Sequence, residues 1–132
     1  MRSRIVTALL AAVVSVPVLA GAAAADPVAL NAPYARAAAK VGQDRTLLAA
    51  KNVSSSARSS SLPSGTYCVK VSDPTIDLPN AAVLATVNNR RAMITAIVQP
   101  HSYCGNEADT ITIVTTDSNN NPVDVPFTVA VL

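Results

Sequence analysis

From Gly65 onward, apolar and polar positions alternate with the two-residue period of β-strands, and clusters of turn-forming residues punctuate the runs. T-Y-C-V-K-V-S, residues 66–72, puts Tyr67, Val69 and Val71 on one face and Cys68 and Lys70 on the other. If the aliphatic face is the core, Cys68 looks outward or toward a covering loop. D-P-T-I-D-L-P-N follows, and its prolines and aspartates bar a regular central strand and predict a loop. A-A-V-L-A-T-V, residues 81–87, and A-M-I-T-A-I-V-Q, residues 92–99, are strands whose tight N-N-R-R connection predicts a β-hairpin. Met93, Ile94, Ile97 and Val98 cannot all point one way, so the second of these strands is expected to be covered on both sides or to lie at an interface. T-I-T-I-V-T-T, residues 110–116, and V-P-F-T-V-A-V-L, separated by D-S-N-N-N-P-V-D, predict a second hairpin with Phe127, Val129 and Val131 on one face. Pro126 places the start of the final strand there, or the strand at an edge.

The stretch before Gly65 leaves two readings open. A-R-A-A-A-K suits a helix by propensity, whereas Gly42 and the polar G-Q-D-R before T-L-L-A-A suit a strand, a turn and a strand. S-S-S-A-R-S-S-S-L is serine-dense and reads by itself as a flexible linker.

Charge and hydropathy at the start change the picture of compartment. M-R-S-R is followed by an almost wholly apolar run from Ile5 to Leu19 and then by A-G-A-A-A-A before Asp26. A basic head, a short apolar run and small residues at an A-x-A site are the parts of a helical secretory signal peptide, with cleavage after Ala25 or, as the alternative, after Ala20. The expected organisation is therefore a signal peptide over 1–25, a short linker over 26–33 and a single β-domain over 34–132. Without residues 1–25, ten basic side chains become eight against eight acidic ones, so the formal charge of +2 falls to zero. A neutral chain with 3% aromatic residues has no electrostatic footprint for nucleic acid or for an anionic membrane surface.

Cys68 and Cys104 are the only cysteines. A zinc site needs about four ligands, and the chain offers one histidine, His101, and no C-x-x-C, so no metal is expected. A cysteine nucleophile with His101 as base, three positions before Cys104, lacks a marked orienting carboxylate. An even count in a small exported domain points to a disulfide between Cys68 and Cys104. It would pin the segment around residues 101–109 across the back of the strand that carries Cys68.

D-S-N-N-N from Asp117 opens like an EF-hand loop, but Pro122 and Thr128 stand where that loop requires glycine and glutamate. His101 and Ser102 have no G-x-S-x-G elbow, and the scattered acids single out no glycosidase pair. No catalytic residue and no cofactor is expected. The segment Pro100 to Asp109, anchored by Cys104, displays His101, Tyr103 and Asn106 and is the candidate interaction loop.

Y-A-R at Tyr34, D-R-T-L from Asp44, Val53, G-T-Y from Gly65, A-T at Ala85, T-T-D from Thr115 and N-P-V-D-V-P-F-T-V-A-V from Asn121 form an ordered series. In this series, roughly over residues 34–132, the chain resembles an uncharacterised family of small bacterial, actinobacterial-like exported and surface all-β domains. Arg45 stands where that group usually carries glycine. The resemblance implies that the N-terminal stretch is β rather than helical and that the serine tract is a strand with solvent-facing hydroxyls. It implies no activity.

Together these readings describe an all-β domain, an antiparallel sandwich or partly open barrel of about six to eight strands with one disulfide. The expected role is a secreted or envelope-associated structural or interaction module without catalytic activity, with an extracellular or envelope protein as partner. The alternative is a small secreted inhibitor of an extracellular hydrolase, acting through a braced loop near Cys104.

Overall fold

The N-terminal stretch folds as β-structure. In the computed structural model, which describes residues 25–57 and 63–132, the run that favoured a helix by propensity is a strand, β2 (Ala37–Val41), following a two-residue strand β1 (Val28–Ala29). The segments β3 (Leu47–Lys51), β4 (Val53–Ala57), β5 (Thr66–Val71), β6 (Val83–Val87), β7 (Met93–Ile97), β8 (Thr110–Thr116) and β9 (Phe127–Val131) complete the described strands. The signal-peptide assignment, apart from Ala25, lies outside the described residues, as does the serine tract at 58–62.

The strands form two sheets, ordered β1-β3-β2-β9-β6 and β4-β5-β8-β7, so the molecule is a β-sandwich. All pairings are antiparallel except that of β1 with β3. β2 lies between β3 and β9, and Ala37, Ala39 and Val41 on its inner face are fully buried. Sheet pairing on both sides overrides the helix propensity of alanine here, and the small side chains let the facing sheet approach.

Neither expected hairpin forms. β6 pairs with β9 and β7 with β8, so the N-N-R-R connection carries the chain from one sheet to the other. The D-S-N-N-N-P-V-D segment does the same between β8 and β9. The physical reason is that each strand has one face in a shared core, and the strand best matched to it for pairing is distant in sequence. Val83, Ala85 and Val87 register with Val131, Val129 and Phe127, extending the apolar inner rows of β9.

Tyr67 and Phe127 meet edge to face at the centre, 4.9 Å between ring centroids, and neither is exposed. A buried tyrosine hydroxyl needs partners. Tyr67 Oη accepts from the Val125 amide at 3.1 Å and lies 3.4 Å from Asp124 Oδ1. Asp124 Oδ1 also accepts from the Gly65 amide at 2.7 Å, and Asp124 Oδ2 accepts from Arg45 Nη2 at 2.5 Å. Residues of D-R-T-L, G-T-Y and N-P-V-D, far apart in the chain, therefore converge on one carboxylate. Gly65 admits no side chain at this junction: its φ is +73°, and a Cβ would sit 2.2 Å from the Thr115 carbonyl oxygen.

Arg45 takes the left-handed conformation expected of glycine, with φ of 73°, in the turn between β2 and β3. Its ion pair with Asp124 compensates a backbone strain of about 1 kcal/mol. Arg45→Gly removes both the pair and the strain, whereas Arg45→Ala removes the pair alone. The glycine variant is therefore expected to be the more stable of the two by about 1 kcal/mol in urea titrations, and the reverse order would contradict the account.

Three turns are closed by carboxylates. Asp44 accepts from the Thr46 hydroxyl at 2.6 Å, Asp73 from the Thr75 hydroxyl at 2.6 Å, and Asp117 from the amides of Asn119 and Asn121 at 2.8 and 2.9 Å. These bonds hold all three carboxyls below the ordinary 3.8. Burial, and then the charge of Asp124, raises the Tyr67 phenol above 10.0, while hydrogen bonds to Glu107 and Asp109 raise Lys70 above 10.5. For the lowered carboxyls, the linked stability is complete above about pH 5 and is lost as pH falls through and below the unfolded value. For the raised groups, it is complete below about pH 10 and is lost as pH rises beyond it. Melting temperature across pH should show a plateau with a decline on both sides, and a melting point still rising below about pH 4 would refute the acid limb.

Candidate functional site

β7 ends at Ile97 and β8 begins at Thr110, and the residues between them are too many for a tight hairpin. This connection folds over the outer face of the second sheet, opposite the core. Cys68 registers with Thr112 on that face, and Cys104 reaches it to form the disulfide, with a Cα–Cα distance of 5.5 Å. The expectation that Cys68 faces a covering segment, with Tyr67, Val69 and Val71 in the core, is met. Cys104 in the connection and Thr112 on the strand beneath it are both buried.

Local chemistry winds Ser102–Cys104 into a single 3₁₀ turn. His101 precedes it in extended conformation, and its Nδ1 accepts from the Tyr103 amide at 3.2 Å. The His101 carbonyl accepts from the amides of Cys104 and Asn106 at 2.9 and 3.0 Å. Gly105 and Asn106 both adopt positive φ, 71° and 57°, which ends the turn; glycine and asparagine tolerate this conformation best. The His101 and Tyr103 rings pack edge to face at 4.7 Å, and Tyr103 remains 42% exposed. His101, Tyr103 and Asn106 thus lie together on one compact turn, with Asn106 exposed.

The far end of the connection is held by charge. Lys70 Nζ donates to Glu107 Oε2 at 2.9 Å and lies 3.4 Å from Asp109 Oδ2, while the Val71 amide donates to the Asp109 carbonyl at 2.8 Å. Beside this anchor is a cleft of about 570 Å³, whose lining includes Lys70, Asp73, Ile76, Leu78 and Asp109. Sequence reasoning missed this cleft because the loop carrying Ile76 and Leu78 has no strand periodicity to place it.

The arrangement offers contact chemistry: an exposed phenol, an imidazole whose Nδ1 is already engaged, and an amide on a fixed backbone. Both sulfurs are consumed in the bond, which removes the cysteine nucleophile considered from the sequence. Among the described residues, no group of three His, Cys, Asp or Glu side chains could hold a metal. Asp117 and Asp124 serve separate partners, the first its own turn and the second Gly65 and Arg45. The serine tract is a strand over its described part, but only Ser54 is exposed; Ser56 Oγ is buried without a hydrogen-bond partner, so its hydroxyls do not all face solvent.

The fold and site define an antiparallel β-sandwich with a disulfide-anchored surface turn. No protein-family model, no curated protein and no solved structure matches this chain.

Proposed function

We propose that the chain is an exported, non-catalytic interaction module of the extracellular space or cell envelope, and that the turn around Tyr103 is its contact surface for a protein partner. The observation that carries this reading is the exposure of Tyr103 on a connection fixed at two points, by Cys104 to Cys68 and by Lys70 to Glu107 and Asp109. A pre-ordered loop loses little conformational entropy on binding, and tyrosine is a favoured anchor at interfaces. Export is supported by the leader pattern of residues 1–25 and by a disulfide suited to an oxidising compartment. Among the described residues, no helix is long and apolar enough to cross a membrane. An inhibitor acting through an extended, cleavable segment finds no support in a turn wound this tightly.

The test is affinity capture from culture supernatant and envelope fractions with the oxidised protein, alongside a Tyr103→Ala, His101→Ala double variant of unchanged melting temperature. A protein retained by the parent and lost by the variant is the expected result. Equal retention by both, a captured glycan or an empty eluate would overturn the assignment.

A further inference from the structure

The two edges of the second sheet are built differently. β4 is bulged between Val53 and Ser55 and is rich in serine, features that discourage further pairing. β7 pairs with β8 in unbroken register from Met93 to Ile97, and residues 92–100 contain no charged side chain and no proline before Pro100. Natural edge strands normally carry such protection.

The hydrogen-bond phase of β7 follows from its neighbours. The Thr115 amide donates to the Gly65 carbonyl at 2.7 Å, so alternate residues of β8 from Thr115 are turned to the β5 side. Thr112, Val114 and Thr116 are therefore turned to β7, where they register with Ile97, Thr95 and Met93. Ile94 and Ala96 are left with their amides and carbonyls pointing away from the sheet, and among the described residues no strand pairs with them.

We propose that this edge pairs with a second copy of the same chain, antiparallel about a two-fold axis at Thr95, giving one continuous sheet of eight strands. That register sets Ile94 opposite the partner copy's Ala96 and the reverse, so each pair exchanges two backbone hydrogen bonds and no exposed peptide group of the edge is left over. Met93, 50% exposed, then lies opposite Ile97, and Thr95 lies opposite its own symmetry mate. The strand M-I-T-A-I is apolar at both ends and hydroxylic at its centre, so it complements itself when reversed. Charge selects the same arrangement. Arg90 and Arg91 precede the strand, so antiparallel pairing sends the two arginine pairs to opposite ends, beside the uncharged Gln99 and Pro100, whereas parallel pairing would juxtapose them. Exposed Leu84 stands on β6, the edge strand of the first sheet that leads into β7 through the arginine turn.

An interface of one strand pair is small, so the expected dissociation constant is on the order of 10 μM to 1 mM. The oxidised protein should double its mass by light scattering across that range, and the amides of Ile94 and Ala96 should exchange with solvent more slowly as concentration rises. Thr95→Lys sets two like charges on the axis from an exposed position and should weaken association at least tenfold, as should Thr95→Glu. An equimolar mixture of the two variants should recover it. A single-chain mass and unchanged exchange up to about 1 mM, undiminished dimerisation of the lysine variant, or protection of the two amides only by a different polypeptide would each overturn the proposal. Should either variant fail to fold, the exchange measurement on the parent decides alone.

Discussion

Replacing Cys68 and Cys104 together by serine is expected to remove about 4 kcal/mol of stability, the chain-entropy value for a closed loop of this size. The sequence separation of 36 residues spans β6 of the first sheet, β7 of the second and the covering connection as far as Cys104, so the uncrosslinked chain regains freedom over parts of both sheets. For a domain of this length, the melting temperature should fall by roughly 15 to 30 °C. The same loss should appear when the parent protein is melted in reductant. A melting point within about 3 °C of the oxidised parent would mean that Lys70 and the main-chain bond to Asp109 hold the connection without the sulfur bridge. The 3₁₀ turn should loosen before the sheets, and the ring contact between His101 and Tyr103 should be lost early.

Asp124→Ala is expected to destabilise the fold by about 2 to 3 kcal/mol, because it leaves the Gly65 amide and the Arg45 guanidinium without their acceptor and removes one of two acceptors near the Tyr67 hydroxyl. The Gly65 amide, the Arg45 guanidinium and the Tyr67 hydroxyl all meet this carboxylate, the first two from separate connections and the third from the start of β5. The loss should exceed that of Asp117→Ala, whose carboxylate serves only its own exposed turn. Paired urea titrations of the two variants measure the difference, and equal midpoints would show that the converging bonds contribute nothing beyond turn closure. In an Arg45→Gly background, the Asp124→Ala effect should shrink, since one of the three donors is already gone.

Period-two alternation made the strands legible, because Tyr67, Val69 and Val71, and Phe127, Val129 and Val131, belong to the core in any sandwich. The disulfide and its covering segment were legible for a related reason: Cys68 falls out of phase with the buried residues on either side of it. Strand pairing was not legible. A-A-V-L-A-T-V and A-M-I-T-A-I-V look like the arms of a hairpin, yet β9 offers β6 a better-matched inner row and β8 does the same for β7. Local pattern says that a strand exists and which face it buries, but the partner is chosen by contacts across the whole chain. Residues 37–41 show the same limit from the other side, since alanine chooses between helix and strand by its surroundings. The role of Asp124 was hidden because an aspartate between two valines carries no sign of which distant donors it meets.

The central place of β9 in the first sheet has a consequence for how the molecule assembles. β6 has β9 as its partner in that sheet and β2 has β9 on one of its two sides, so the sheet cannot close while β9 is missing. A chain lacking β9 would leave β6 without its partner and the core open on that side, exposing apolar surface instead of forming a smaller sandwich.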